Sequence, residues 1–468
     1  MDATSEQKVL STLYDRLFDA ISYSPDGRPS GFDRQNSRLL MAKNVVLDPS
    51  DFANAFSPVN SGPAADQKAA RAFSDMVDVL PVDQVEWADS TKRLSGVYEG
   101  LVAQANTTNV ENPDQRHTYD LAYGYLNATT STPPDMFGKS VQMTGPTAIA
   151  QTYNDDQTAY INAVGGYRAA FNGYNLDVVA DQRAWMAVEP GLRNTVDQAW
   201  NRWNREGKAQ VEQAQQALQS SINDAVSAAI TQARQLVSPG AHIPSLDGVG
   251  EGWLLSYAQP RDWASPSITA SKLTLQSSYL NETASSEASS YSAGGSGGWG
   301  LWSASASMSH SSSESHSHMD ASEFELTAEL IQVRIMRPWF NPLLLSMQGW
   351  WVDGTPEGGL ATMMPLVPTA FILARNVTIK ADFSEQDKSH IESATSGSAS
   401  VGWGPFGASG SYSSSSSADT FTSKFDGGTL QLPGLQLIGW VNTVTPAGVP
   451  PMAAPAAAAG AAARSVRA

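Results

Sequence analysis

Two related stretches in the second half of the chain decide its fold: GWGLWSASASMS at residues 298–309 and GWGPFGASGSYS at residues 402–413. They lie 104 residues apart. The same offset holds for the apolar segments on either side: Leu273–Leu275 matches Val377–Ile379, and Leu330–Val333 matches Gly434–Leu437. Low-complexity composition by itself does not keep one offset across flanking apolar segments. The sequence therefore indicates a duplicated structural unit.

Alternation of apolar and polar side chains predicts four core strands around these stretches. They are Ile268–Gln276, Phe324–Met336, Thr369–Asp382 and Thr429–Val441. Each copy inserts a Ser/Gly-rich arm between two of these strands. A connector rich in Trp and Pro, residues 337–354, joins the copies, and it has two interpretations: a packed corner over the sheet, or a surface for a ligand or a lipid headgroup.

The pattern along the chain predicts an α+β protein, with a mostly helical N-terminal domain followed by an antiparallel β domain that carries two duplicated, long, amphipathic hairpins. Val9, Leu13 and Leu17 recur at helical spacing in an amphipathic helix over residues 5–22. The predicted organisation is a helical domain over 1–245 with a long amphipathic helix over 192–237, a connector over 246–270, a β domain over 271–441 with repeats over about 271–336 and 375–440, and a disordered Ala/Pro-rich tail over 442–468.

In an extended arm, successive side chains point to opposite faces. Both copies keep the same parity, with apolar or small residues on one face and serines on the other. If the hairpins enter a membrane, the predicted lipid-facing side chains are Tyr291, Ala293, Trp299, Trp302, Ala304, Ala306, Met308, Ala399, Val401, Trp403, Phe406, Ala408 and Tyr412. The predicted lumen-facing side chains are Ser303, Ser305, Ser307, Ser409, Ser411 and Ser413. Ala306 and Ala408 are expected to lie outside the folded core.

The two arms share a charge-free window of one length. Residues 288–313 and residues 393–418 contain no Asp, Glu, Lys or Arg, so each window spans 26 residues. A transmembrane β-strand needs about 9 to 11 residues, so two strands and a short turn need roughly 20 to 26. Each window therefore has the length for one bilayer crossing and return.

A four-stranded sheet that carries two such hairpins resembles, in architecture alone, the β-barrel pore formers of the perforin and cholesterol-dependent cytolysin type. The aromatic-glycine-Thr-His signature of the perforin group does not occur in this sequence. The resemblance implies a homo-oligomer in which each protomer contributes two hairpins to a barrel in a lipid membrane. The alternative is a soluble, non-enzymatic structural or assembly protein whose hairpins pair between subunits.

Composition restricts the partners of this protein. The 468 residues carry a formal net charge of −17, which argues against a nucleic-acid surface and against electrostatic adsorption to anionic lipid. The chain contains no cysteine, which excludes disulfides and thiolate zinc sites. No secretory signal or apolar run of about 18 residues is recognisable. We therefore expect a protein made soluble, located in the cytoplasm or released by a non-classical route, that becomes membrane-associated after assembly.

No enzymatic motif or cofactor site is predicted. GGSGG at residues 294–298 fits the G-x-S-x-G pattern of a nucleophile elbow but lacks the apolar strand before it and the helix after it. His310, His316 and His318 lie on one arm and are weak candidates for metal binding, because solvated histidines in a polar strand are the favoured explanation. The second copy does not repeat this feature, since Ser414 stands at the place of His310.

Overall fold

The computed structural model describes residues 3–33, 35–84, 87–88, 90–107, 113–132, 138–205, 207–220, 226–245, 250–280, 285–293, 302–304, 320–353, 359–397, 400–413 and 419–446. Helices prevail in its N-terminal half and antiparallel strands in its C-terminal half, so the predicted α+β class is confirmed.

The helices are α1 (Ala3–Ser22), α2 (Gln67–Val77), α3 (Leu94–Gln104), α4 (Pro113–Leu126), α5 (Ala148–Phe171), α6 (Val179–Trp203), α7 (Lys208–Ser220), α8 (Val226–Leu236), α9 (Ser286–Ala293), α10 (Leu360–Met363) and α11 (Glu385–Ser396). The strands are β1 (Ser37–Leu47), β2 (Ala105–Thr107), β3 (Asn127–Ser131), β4 (Gln142–Pro146), β5 (Tyr257–Gln259), β6 (Ser271–Gln276), β7 (Trp302–Ala304), β8 (Asp320–Met336), β9 (Trp350–Val352), β10 (Leu366–Asp382), β11 (Val401–Trp403), β12 (Phe406–Ser411), β13 (Thr420–Thr422), β14 (Lys424–Asp426), β15 (Thr429–Leu432) and β16 (Leu435–Val444).

The main sheet is built around β10, which pairs with β8 on one edge and with β15 and β16 on the other. Strand β16 pairs in turn with β1, and β8 pairs on its outer edge with β5 and β6. All of these pairs are antiparallel. The four core strands expected from the sequence are thus present as β6, β8, β10 and the β15–β16 pair.

Both faces of β10 are buried, which explains its long apolar run. Phe371 and Leu373 face one core together with Trp263, whereas Ile372 and Ala374 face the other. The stripe of α1 that the sequence predicted is buried in the second core, where Val9, Leu13 and Leu17 have no exposed surface. A helix therefore covers one face of the sheet and hides its apolar side chains.

The single long helix predicted over 192–237 is not what the structure contains. The segment is divided among α6, which already begins at Val179, α7 and α8. Gly207 lies between α6 and α7 with φ of 99°, a left-handed conformation that ends a right-handed helix. The apolar stripe is therefore divided between two cores. Val196 and Val211 pack beside α5, whereas Ile230 packs against the Trp- and Pro-rich connector of residues 337–354.

The predicted boundaries at both ends of the β domain also differ from the structure. Strand β1, within the expected helical domain, extends the main sheet by pairing with β16. Strand β16 continues to Val444, and Asn442 is fully buried, so the first residues assigned to the tail belong to the sheet. Composition hides both features, because pairing between distant segments supplies the hydrogen bonds that make these residues part of the core. Residues 447–468 lie outside the described part of the chain.

The connector between the copies is packed into the protein. Trp339, Trp350 and Trp351 are all buried, and the Trp350 indole Nε1 donates a hydrogen bond to the Met347 carbonyl at 3.0 Å. Trp350 also lies on β9, which pairs with β2 from the helical half. This burial fits the interpretation of the connector as a packed corner.

Arg375 ties the loop before β6 to the middle of the sheet. Its Nε donates to Glu329 Oε2 at 2.7 Å, and its Nη atoms donate to the carbonyls of Pro266 at 3.0 Å and Ile268 at 2.8 Å. The bond to Arg375 also lowers the pKa of Glu329 below its usual value. One planar guanidinium thus bridges two strands and a loop.

We expect Arg375→Ala to lower the free energy of unfolding by about 1.5 to 3 kcal/mol, the usual contribution of hydrogen bonds to a charged group. Arg375→Lys should lose most of the same stability, because an ammonium cannot reproduce the fork geometry. Urea denaturation followed by tryptophan fluorescence measures both changes. Glu329→Gln is the matched control, since it removes one acceptor charge and leaves the loop carbonyls bound. Wild-type stability in Arg375→Lys would contradict the proposed bridging role.

Candidate functional site: the two folded-back arms

The two copies found in the sequence are also copies in strand register. In the first copy β6 pairs with β8 through Leu273 with Ala328 and Leu275 with Leu326. In the second copy β10 pairs with β15 through Val377 with Leu432 and Ile379 with Leu430. Each residue of the second set lies 104 positions after its counterpart in the first. The duplication is therefore a repeated strand pair, and each arm lies between the two strands of one pair.

Helices α9 and α11 occupy part of the rising half of each arm, where the sequence predicted a strand. Tyr291 and Ala293 lie in α9, and the second arm rises through α11. A capping box explains α11: the Ser384 hydroxyl accepts from the Asp387 backbone N–H, and the Asp387 carboxylate accepts from the Ser384 backbone N–H. Gly397 then ends the helix with φ of 67°. These local signals, present in the sequence, favour a helix over a strand.

The tips of the two arms pair with each other. Strands β13, β12, β11 and β7 form a four-stranded sheet in that order. Within it β7 of the first copy pairs antiparallel with β11 of the second, through Trp302 with Trp403 and Ala304 with Val401. The described tip strands of the two arms therefore form one sheet within a single chain.

The described side chains that the sequence assigned to a lipid-facing surface are mostly buried. Trp302, Val401, Trp403, Phe406 and Ala408 are exposed by 7% or less, and they share one core with α1 and β10. The expectation that Ala408 lies outside the core is therefore wrong. Apolar side chains on an arm that folds back against its own sheet are removed from water, which a sequence pattern cannot distinguish from removal into lipid.

The exposure to solvent that the sequence predicted for the serine face is found only from Ser411 onward. Ser411 and Ser413 are exposed, whereas Ser409 is buried at 4% exposure. Gly407, on the same face as Ser409, lies so close to Val46 that a Cβ there would be 2.7 Å from its Cγ2. Strand β1 thus covers the face that was expected to be polar and open. Tyr412 is partly buried and contacts the Phe421 ring at 5.3 Å.

Other sequence-predicted site residues are outside the described part of the chain. They are Trp299, Ser305, Ala306, Ser307, Met308, His310, His316, His318 and Ala399. Ser303 and Ala304 are placed in β7 by their backbone pairing with Gly402 and Val401. Within the described residues, no group of three or more acidic or histidine side chains is arranged to hold a metal ion.

A polar latch joins the first arm to the second. The Trp302 indole Nε1 donates to Asp387 Oδ1 at 2.8 Å, and the Asp387 side chain is fully buried. The His390 ring stacks on Trp302 with ring centroids 5.5 Å apart and an interplanar angle of 14°. Burial lowers the pKa of His390 below its usual value, and the neighbouring Asp387 charge opposes this shift. Sequence inspection missed this latch, although the S-x-x-D pattern of the capping box marked Asp387.

The second arm is also fastened to the main sheet through its backbone. The Gln436 side chain accepts from Gly407 N at 3.0 Å and donates to Gly407 O at 3.1 Å. Asn44 N donates to Pro405 O at 3.0 Å, and Ser413 N donates to Val46 O at 2.8 Å. The arm is therefore held by hydrogen bonds to β1 and β16 as well as by apolar packing.

Outside the arms, a cleft of about 540 Å³ lies between α4, α7 and the connector. Its described lining is mainly aromatic and aliphatic, with Tyr119, Tyr123 and Phe340 among the side chains and Asn154 and Gln215 among the amides. The described lining contains no carboxylate and no histidine, so it offers no paired acid and base.

Comparisons with known proteins do not extend this description. No family model matches the chain, and no curated protein or solved structure is significantly similar to it. Among the described helices, none is both long and apolar enough to cross a membrane. The function is therefore inferred from the geometry of the arms.

We expect Gly402→Ala to destabilise the packing of the second arm against β1. An added Cβ would lie 1.9 Å from Asn44 Oδ1, so the Asn44 side chain would have to move, and overpacking of this kind costs about 1 to 3 kcal/mol. Thermal unfolding measures the loss. Gly124→Ala is the control, because nothing lies within 4 Å of a Cβ at that helical position. The double variant Asn44→Gly with Gly402→Ala should recover stability, since Asn44 has φ of 55° and glycine accepts it. A failure of this double variant to recover any stability would contradict the contact.

The His390 stack predicts a loss of stability on acidification. The lowered pKa means that the folded protein binds this proton less readily than the unfolded chain does. The contribution of His390 to the free energy of unfolding is therefore complete above the pKa of the unfolded chain, about 6.5, and decreases as the pH falls below that value. The difference in melting temperature between wild type and His390→Gln should therefore shrink from pH 8 to pH 5. A constant difference across that range would show that the folded protein and the unfolded chain bind this proton equally well, which would contradict a lowered pKa of His390 in the folded protein.

Proposed function

We propose that this protein is a pore former, and that the conformation described here corresponds to the state before membrane insertion. The observation that carries the proposal is the repeated strand pair. Two copies with one register each carry an arm with a charge-free window of 26 residues, and Trp302 of the first arm is packed against the body in one core with Trp403 and Phe406 of the second. In the proposed change, each arm extends its own strand pair into an amphipathic hairpin.

Extension of the arms requires a non-aqueous surface for their apolar side chains. In the stored conformation Trp302, Trp403 and Phe406 are covered by the body of the protein. An arm that leaves this core exposes them to water unless lipid replaces the lost contacts, because burial of one large apolar side chain contributes roughly 1.5 to 3 kcal/mol. Insertion into a bilayer satisfies this requirement.

The stored arms also contain a feature that favours release. Among the described residues, the Trp403 indole Nε1 is buried without a hydrogen-bond acceptor, in contrast to that of Trp302. A buried donor without a partner costs about 1 to 3 kcal/mol. Tryptophan at a membrane interface can bury its ring and leave the indole N–H in contact with water or headgroups.

The partners in this proposal are lipid and further copies of the chain. Hairpins in lipid leave backbone groups unpaired at their edges, and only a closed barrel pairs all of them. Each protomer would contribute two hairpins, so ring closure requires a homo-oligomer. The proposal needs no cofactor and no nucleic acid.

One observation favours the alternative, a soluble structural protein whose arms pair between subunits. The four-stranded arm sheet ends in β7 on one side and β13 on the other, and neither outer edge is paired within the described residues. An open strand edge can pair with another copy of the chain. Dye release from liposomes together with electron microscopy of the same sample separates the two functions. Rings with leakage support pore formation, whereas ordered assemblies without leakage support the structural protein.

A charge on the apolar face is not a clean test of insertion. Ala408→Arg would place a cation in a fully buried position, so it is expected to disrupt the stored fold before any membrane is met. A reversible restraint on the folded protein avoids this difficulty, and the absence of natural cysteines makes a designed disulfide unambiguous.

We predict that a disulfide between Val46→Cys and Gly407→Cys abolishes leakage in the oxidised protein and that reduction restores it. A Cβ at Gly407 would lie 2.7 Å from Val46 Cγ2, which brings the two positions within disulfide reach, and the bond would fasten the second arm to β1. The rate of dye release with and without a reductant is the measurement.

The matched control is a disulfide between Val401→Cys and Ser409→Cys, which are paired across β11 and β12 of the same arm. This bond does not connect the arm to the body, so oxidised control protein should still release dye. Equal leakage from the oxidised and reduced forms of the Val46–Gly407 variant would show that the second arm stays in place and would refute the proposed mechanism.

A further inference from the structure

The turn between α5 and α6 lies at the end of the sheet from which the first arm departs. A Cβ on Gly166 would be 2.7 Å from Ser271 Oγ, and a Cβ on Gly173 would be 3.5 Å from Thr274 Cβ. Helix α5 and strand β6 therefore run side by side in the same direction. The residues that follow Gly173 lie beside the C-terminal end of β6, where Gln276 leads into the first arm.

The second arm leaves the sheet at this same end. Strand β8 begins at Asp320 and β10 ends at Asp382, and these two residues are paired with each other. Gln276 at the end of β6 pairs with Glu325 near the start of β8. The exits of both arms and the α5–α6 turn thus share one end of the molecule.

Exposed apolar side chains are concentrated at this end. Leu176, Val178 and Val179 in the turn are exposed by 36%, 46% and 58%, and Phe425 on β14 is exposed by 38%. Phe425 contacts the ring of Phe383, which directly follows β10, at 5.7 Å. Four of the nine large apolar side chains that are exposed in the described residues therefore lie around the arm exits.

The turn is held in a defined shape by its own contacts. Asn175 N donates to Asp181 Oδ2 at 2.9 Å, and Gln182 Nε2 donates to the Leu176 carbonyl at 2.5 Å. Behind the turn, the Trp185 ring packs against Phe171 at 5.2 Å and Tyr174 at 5.5 Å. The apolar side chains at the tip are thus exposed on a turn whose base is packed by aromatic rings.

We infer that this apolar tip, Leu176, Val178 and Val179, docks onto the interface of a zwitterionic lipid bilayer and directs both arm exits toward it. This inference rests on the proposed function and names the surface that meets the membrane. Apolar insertion, not charge attraction, has to provide the affinity, because the protein carries a net charge of −17 and Asp177 is exposed within the tip. The shared position of the tip and the arm exits favours a bilayer over a protein partner.

A single-cysteine label tests the docking directly. Val179→Cys carrying an environment-sensitive nitrobenzoxadiazole dye should shift its emission to the blue when phosphatidylcholine vesicles are added. Leu121→Cys, with 62% exposure on α4, is the control and should not shift. Helix α4 is connected to the N-terminal end of α5. That end of α5 lies about 36 Å from the tip, because α5 has 24 residues and an α-helix rises 1.5 Å per residue. An unshifted dye at Val179→Cys in the presence of vesicles would overturn the inference.

A charge variant tests whether the tip provides affinity. Val178→Asp with Val179→Asp should weaken vesicle binding in sedimentation by about tenfold or more, whereas Leu121→Asp should leave it unchanged. Folding should tolerate the tip variant, because Val178 is the N-cap of α6 without a side-chain cap and aspartate is favoured there. Undiminished binding by the tip variant would refute the docking surface.

The outcomes separate docking from pore formation and from self-association. A blue shift at Val179→Cys without dye release supports docking and refutes the pore, whereas release that persists unchanged in the tip variant supports the pore and refutes docking. A shift that appears without vesicles and grows with protein concentration would assign the tip to contact between copies and overturn the inference.

Discussion

Strand β10 is paired on both edges and packed on both faces, and the rest of the structure depends on this double burial. It joins the two copies, since β8 of the first copy lies on one edge and β15 and β16 of the second lie on the other. The two faces of β10 are buried by different parts of the chain. Trp263 and Phe371 belong to one core, while α1 and the paired arms share the other. The arms thus help to bury one face of the central sheet.

This arrangement gives the arms two opposing properties. Their apolar side chains contribute to the core, yet their backbones are glycine-rich and their helices α9 and α11 are short. Much of the attachment is made by specific polar contacts, such as Trp302 with Asp387 and Gln436 with Gly407. Such contacts are strong when satisfied in a dry interior and are lost together once the geometry changes. The proposed function requires that an arm held in this way be displaced as a unit while the repeated strand pairs below it remain intact.

Charge and shape act together at one end of the molecule. A strongly acidic protein has little long-range attraction to an anionic membrane, so under the proposed function its approach to lipid would have to rely on a local apolar surface. The tip beside the arm exits is the surface inferred for this contact, and the rings of Trp185, Phe171 and Tyr174 pack behind it. Docking and arm release would then occur at the same place, which the proposed mechanism requires.

The sequence by itself determined the fold class, the duplication, the four core strands and the apolar stripe of α1, because periodicity records which side chains must leave water. It did not determine where they go. Trp403, Phe406 and Ala408 alternate as a membrane strand does, yet in this conformation α1 and β10 cover them, since any dry surface satisfies the same pattern. Strand β1 and residue Asn442 joined the sheet through partners hundreds of residues away, and the contact between Trp302 and Asp387 unites two arms that are distant in sequence. Only tertiary structure brings such groups together, because pairing and burial depend on distances in space that local residue order does not encode.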